Sequence, residues 1–233
     1  MGQIKMDKPL NIAFIVNEFP CISETFILNQ IIGLLNKGHR VHIFAYKNNS
    51  DNQKHHDAVS EYDLMNKTRY FPALPQKRIE RLCKLANICA RQFFKYPKQI
   101  MKCLNIRKYG LYEAVNHLFR MEPLMNEHYD VIHCQYGPIG QDLVFLKEVI
   151  DVKIFTSFRG YDLTRVVHEN HPSVYEHLFK NGDKFLPVCQ YFADKLEELN
   201  CPGNRIDVLY SGINLEKYQY QERQFDFQKK IKL

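Results

Sequence analysis

The chain is poor in the patterns that announce a cofactor, a metal or a membrane span. After Gly2 the next glycine is Gly33, so no Gly-x-Gly-x-x-Gly opens the first strand–helix turn and no phosphate-binding P-loop is present. That disfavours nicotinamide or flavin binding by the dinucleotide fingerprint. The seven cysteines are odd in number and none forms Cys-x-x-Cys. No Cys/His set has zinc-ligand spacing, so no metal site is expected, and the thiols read as reduced, mostly buried and cytosolic. The start, Met1 to Pro9, is polar and carries no signal-peptide pattern. The first apolar run is too short to cross a bilayer. Met1-Gly2 is not a myristoylation start, because position 6 is Met rather than Ser or Thr. Internal repeats and low-complexity segments are absent.

What is present is an ordinary globular balance: 233 residues, 45% hydrophobic and 25% charged, enough for one large domain. The net charge of +6 is uneven. Between Lys77 and Arg120 eleven Lys/Arg face two acids, Glu80 and Glu113. Such a block is either a solvated helix face or a contact for an anionic surface. It carries no recognised nucleic-acid motif, so a nucleic-acid partner is not expected.

Leu10 to Val16 is an apolar run broken only by Asn11, the pattern of a strand buried on both faces. Ser23 is placed to cap a helix with Glu24 in its first turn, and Gly38 suits the position after the helix end. Arg40 to Tyr46 reads as a second strand, completing a βαβ unit. A loop runs from Asn48 to Asp57, and Thr68 to Phe71 is a short strand. Basic helices follow over 75–96 and 109–126, separated by the break at Pro97. The parallel rhythm then returns. Strands are expected at Val131–Cys134, Lys153–Phe158, Lys184–Val188 and Arg205–Tyr210, with helices at 141–150, 173–179 and 191–199. The fold class is therefore α/β: a doubly wound, mostly parallel Rossmann-like sheet with helices on both faces.

In such a sheet ligands bind outside the carboxyl ends of the strands. Five segments fall there: 17–25, 133–140, 159–165, 189–190 and 211–214. Ser23, Glu24 and Thr25 sit at a helix N-terminus, whose free N–H groups can hold a polar or anionic group; Ser23 as a plain cap is the other reading. His133 ends a strand beside the flexible glycines Gly137 and Gly140. It can hydrogen-bond a sugar hydroxyl or shuttle a proton, and the alternative is a satisfied core histidine. In Phe158-Arg159-Gly160-Tyr161-Asp162, Arg159 can hold a phosphate or carboxylate and Asp162 can accept sugar hydroxyls; an internal Arg–Asp or helix-capping contact is the alternative.

Taken in order, several of these segments resemble glycosyltransferase family 4, in particular its bacterial exopolysaccharide and colanic-acid-type branch. They are Phe19-Pro20-x-x-Ser23-Glu24-Thr25-Phe26, Gly38-His39-Arg40-Val41, Asp130-Val131-Ile132-His133, the Phe158-to-Asp162 segment, and Val208 to Tyr218 with Gly212-Ile213-Asn214. Arg159 stands where many members have histidine, and Asn214 and Tyr218 depart mildly from the family's Gly-Ile-Asp-x-x-x-Phe signature.

The resemblance implies one half of a GT-B fold, in which two Rossmann-like domains face a cleft. Residues 1–214 would be the N-terminal, acceptor-side domain, and 215–233 a linker into a C-terminal nucleotide-sugar domain. It implies a sugar or lipid-linked glycan acceptor and a nucleotide-sugar donor as co-substrate, with retention of configuration and no metal or other cofactor. By the same resemblance His133 is the catalytic candidate, and Ser23, Glu24, Thr25, Arg159, Gly160, Asp162, Gly212 and Asn214 are candidates for substrate binding. The implied location is cytoplasmic, peripheral on the inner face of the membrane through the basic helices. The second domain's Glu-x7-Glu motif has no counterpart in a suitable place. The chain is therefore expected to be a truncated transferase, inactive alone; a non-catalytic binding module or a gene remnant is the competing expectation.

Overall fold

The computed structural model describes residues 8–49 and 56–212. Six parallel strands form one open sheet: β1 (Asn11–Phe19), β2 (Arg40–Asn48), β3 (Thr68–Tyr70), β4 (Val131–Cys134), β5 (Lys153–Phe158) and β6 (Lys184–Pro187). Their order is β3-β2-β1-β4-β5-β6, every pair parallel. The winding direction reverses between β1 and β4, where Phe14 lies level with Ile43 on one side and His133 on the other. That reversal is the switch point at which a crevice opens.

β1 is apolar on both sides because it lies between two layers. Ile12, Phe14 and Val16 enter one core with Ile27 and Ile31 of α1 (Thr25–Asn36) and Val59 of α2 (Asp57–Glu61). Ala13 and Ile15 enter the other. This core is filled by helices α3 (Arg78–Gln92), α4 (Pro97–Cys103), α5 (Ile106–Met121), α6 (Gly137–Leu143) and α7 (Leu146–Val149). A third cluster joins Phe158 and Phe185 to Tyr175 and Leu178, which borders α8 (Arg165–Asn170) and α9 (Glu176–Asn181), and to Leu196 of α10 (Gln190–Glu198). Alternate strand residues thus feed opposite layers.

Several boundaries depart from the sequence expectation. α1 begins at Thr25 with Glu24 at its cap position and no side-chain cap bond; the Ser23 hydroxyl lies 3.3 Å from Cys21 Sγ instead. Ser23 is therefore not the cap. The helix expected from 141 begins at Gly137, so Gly137 and Gly140 are helical and buried rather than flexible. α5 is interrupted at Gly110, whose φ of 76° only glycine adopts easily. α8 carried no sequence signal. The last expected strand is an edge segment: Ile206 bridges Phe185, and Asp207 N and Leu209 N donate to Phe185 O and Pro187 O at 3.0 and 2.9 Å. Three of the seven cysteines are buried, fewer than expected, and all are free.

Candidate functional site

The carboxyl ends of β1, β4 and β5 converge on one polar assembly. Arg159, just past β5, lies with its guanidinium 4.0 Å over the Phe26 ring of α1, and its Nη2 donates to Gln135 Oε1 at 2.7 Å. Gln135, just past β4, is fully buried. Its neighbour Tyr136 donates its hydroxyl to Glu24 Oε1 at 2.6 Å, tying β4 to the start of α1. The Tyr136–Glu24 bond and the Arg159–Phe26 contact cross the switch point, while the Arg159–Gln135 bond joins the ends of β4 and β5 beside it. Burial raises the Glu24 carboxyl above its ordinary value, with the Tyr136 bond pulling it back. Among the described residues neither Arg159 Nε nor Gln135 Nε2 meets an acceptor, although both are buried. Buried N–H groups in that state are ordinarily met by an ordered water or a ligand oxygen.

His133 is enclosed beneath this assembly. Its Nε2 lies 2.9 Å from Ser157 Oγ, and its ring meets Phe14 edge-on at 4.7 Å. Burial, then the Arg159 charge, pushes its pKa down to about 3. The ring is therefore neutral near pH 7. A base of that strength has little drive to take a proton, so what it offers there is a hydrogen bond.

Asp162 has a fully buried carboxylate filled by backbone donors. Oδ1 accepts from Arg159 N and Gly160 N, both at 2.9 Å, and Oδ2 from Gly137 N and Arg159 N, both at 3.2 Å. Burial raises its pKa and these bonds lower it, leaving it above the ordinary value. Its geometry is that of the alternative weighed from the sequence: it holds the N-terminus of α6 against the 159–160 loop from 25 residues away. The Tyr175 hydroxyl fixes the same loop by donating to Asp162 O at 2.9 Å.

Gly160 has φ of +131°, a backbone only glycine adopts readily, and packs toward Phe192. Gly137 and Gly140 let α6 lie directly on β5 and its neighbours: a Cβ on Gly137 would stand 2.6 Å from Phe158, and one on Gly140 2.4 Å from Thr156 Oγ1.

The sequence-selected residues thus divide. Glu24, Arg159 and His133 come together with Gln135, Tyr136 and Phe26. Asp162 and Gly160 build the loop beneath them. Ser23 and Thr25 are exposed at the rim of α1, and Gly212 is exposed near the end of the described residues. Asn214 lies outside the described residues. Gln135, Tyr136 and Phe26 were not singled out as ligand contacts, although the first two directly follow a strand end. No group of three or more His, Cys, Asp and Glu among the described residues is placed to hold a metal ion.

A doubly wound sheet in the order 3-2-1-4-5-6, with its polar assembly at the switch point, defines a Rossmann-like α/β domain of the kind that binds ligands at its carboxyl edge. The model of Glycosyltransferase Family 4 matches residues 23–217, and the chain belongs to that family. It is 31% identical over 217 residues to WcaL of Salmonella typhimurium, a glycosyltransferase named for colanic acid biosynthesis; the match covers 91% of this chain and 53% of WcaL. It is 30% identical over 220 residues to the amylovoran biosynthesis glycosyltransferase AmsK of Erwinia amylovora, covering 92% and 53%. The chain spans about half the length of the curated relatives it matches. Among solved structures, Anabaena Alr3699/HepE in complex with UDP and glucose superposes with a TM-score of 0.55 at 9% identity, over 91% of this chain and 47% of that one. This likeness concerns the fold alone.

Proposed function

We propose that the chain is the acceptor-side domain of a retaining, nucleotide-sugar-dependent GT-B glycosyltransferase acting in exopolysaccharide or cell-surface glycan synthesis. Residues 1–214 form that domain, and 215–233 lead toward a donor-binding half without which no sugar is transferred. The observation that carries the reading is the pairing of Glu24 with Tyr136 across the switch point and of Arg159 with Gln135 beside it.

This set mixes donors and acceptors. Among the described residues, Arg159 Nε and Gln135 Nε2 meet no acceptor, while Glu24 has a second carboxylate oxygen beyond its Tyr136 bond. The formal charges of Glu24 and Asp162 exceed that of Arg159. A diphosphate needs net positive charge where its own charge develops, and this crevice does not provide it. A sugar, whose hydroxyls both donate and accept, fits better, with Phe26 and Tyr136 as apolar walls. His133 contributes a neutral hydrogen-bonding ring, and the rim residues Ser23 and Thr25 extend the polar edge. Under this reading the donor's diphosphate is bound by the other half.

The similarity to exopolysaccharide enzymes supports the class of product. The basic block over 77–120 supports a position against an anionic membrane on its cytoplasmic side, where a lipid-linked acceptor would be met. The test joins this chain to the donor-binding half of a family 4 enzyme and assays sugar transfer, with the 233-residue chain alone expected to be inactive. Transfer by the chain alone overturns the reading.

A further inference from the structure

Helix α3 has two apolar faces. Ile88 is buried in the core and Leu85 packs against it, as for any surface helix. On the opposite side Ile79, Leu82, Cys83, Ala86, Ala90 and Phe93 are all exposed. Their spacing puts them within about 60° of the Ile79 direction, at about 100° per residue. Ile79 is 76% exposed, Leu82 63%, and Phe94, at the end of the stripe, 94%. The ring of Phe93 meets that of Phe94 edge-on at 6.3 Å. A solvent-facing helix normally turns polar residues outward, so a continuous outer apolar stripe marks a surface that something covers.

The charge around the stripe selects the occupant. Residues 77–102 hold eight Lys/Arg and one acid, Glu80. Some of these cations are occupied: Lys77 pairs with Glu80, Arg91 with Glu122, and Arg81 and Lys84 donate to Pro75 O and Ala73 O. Arg78, Lys95, Lys98 and Lys102 are exposed, and among the described residues none has an acidic partner. A second copy of the chain would bring the same positive face and be repelled. Aromatic and aliphatic side chains fringed by cations match the boundary between anionic headgroups and acyl chains.

We infer that α3 and the Phe93-Phe94 corner insert into the interface of an anionic bilayer, with the exposed cations of 78–102 on the headgroups. No helix among the described residues is long and apolar enough to cross a membrane, so the contact lies in the surface plane. The inference rests on the membrane part of the function reading and not on sugar transfer, so its failure would leave the transfer reading standing.

The chain contains no tryptophan, so Phe94→Trp supplies one fluorophore at the tip of the stripe. The probes are vesicles of phosphatidylcholine alone and of equal parts phosphatidylcholine and phosphatidylglycerol. The mixed vesicles are expected to bind the chain, blue-shift the Phe94→Trp emission and expose it to a quencher in the acyl region. Ile79→Ser with Leu82→Ser in the wild-type chain is expected to lower partitioning at least about tenfold. Both residues are exposed, so the circular dichroism should be unchanged. High salt should weaken the binding without abolishing it, since only the ionic part is screened. Binding that high salt abolishes and Ile79→Ser/Leu82→Ser leaves unchanged would overturn insertion. So would no binding to the mixed vesicles, whether or not the chain then self-associates through this face.

Discussion

Replacing Asp162 with alanine should destabilise the domain itself, because its carboxylate is the acceptor for three backbone N–H groups, of Gly137, Arg159 and Gly160. Each buried donor left without an acceptor costs about 1–3 kcal/mol. Arg159 and Gly160 are partly accessible, so water can replace some of what is lost there, whereas Gly137 is buried. The expected loss is therefore about 2–4 kcal/mol. For a chain of this size that is a fall of roughly 5–15 °C in Tm. Asp162→Asn should lie between, since Oδ1 keeps its bonds to Arg159 N and Gly160 N while the amide would set a donor against Gly137 N–H. Urea unfolding followed by circular dichroism measures both variants. A loss under about 0.5 kcal/mol for Asp162→Ala would refute the reasoning and return the carboxylate to the sugar-binding role first weighed for it.

Gly140→Ala should also destabilise, by up to about 2 kcal/mol. A Cβ 2.4 Å from Thr156 Oγ1 puts the overpacking in the upper part of the usual range of about 1–3 kcal/mol, above the gain in helix propensity of about 1 kcal/mol. Thr156→Ala in the same chain should recover part of the loss, and strictly additive effects in unfolding curves would contradict the contact. Acid should weaken the fold through His133. Its pKa is about 3 when folded and about 6.5 when unfolded. The unfolded state therefore binds more protons between those values, and stability falls as the pH drops through that window. Urea midpoints from pH 7 to pH 4 should decline less steeply for His133→Gln than for the wild type, while parallel slopes would show that the ring is not held neutral by burial.

The sheet was legible because parallel strands covered on both faces read as apolar runs, as Ile12 to Val16 does without a break and Val131 to Cys134 does around His133. α8 was not, since Arg165–Asn170 is short and has no amphipathic period. Glycines near a strand end suggested mobility. Only the packed structure shows Phe158, Tyr175 and Thr156 closing on Gly137 and Gly140 and leaving no room for a side chain. Asp162 was recognisable as a polar residue at the right place, but its reach to Gly137 depends on how β4 and β5 align. Arg159 and Glu24 were visible by the same rule of strand ends. Tyr136 and Phe26 became partners where the start of α1 meets the segments after β4 and β5, and Gln135 where those two segments meet, which no local pattern encodes.

The central claim is that the Arg159–Gln135 and Glu24–Tyr136 pairs hold a sugar acceptor. The most direct measurement compares the joined enzyme with its Arg159→Ala variant in steady-state transfer, varying acceptor and donor separately. Loss of a charge-assisted hydrogen bond is about 1.5–3 kcal/mol, so the acceptor KM should rise about 10- to 100-fold while the donor KM stays the same. An unchanged acceptor KM, or a rise confined to the donor, would contradict it.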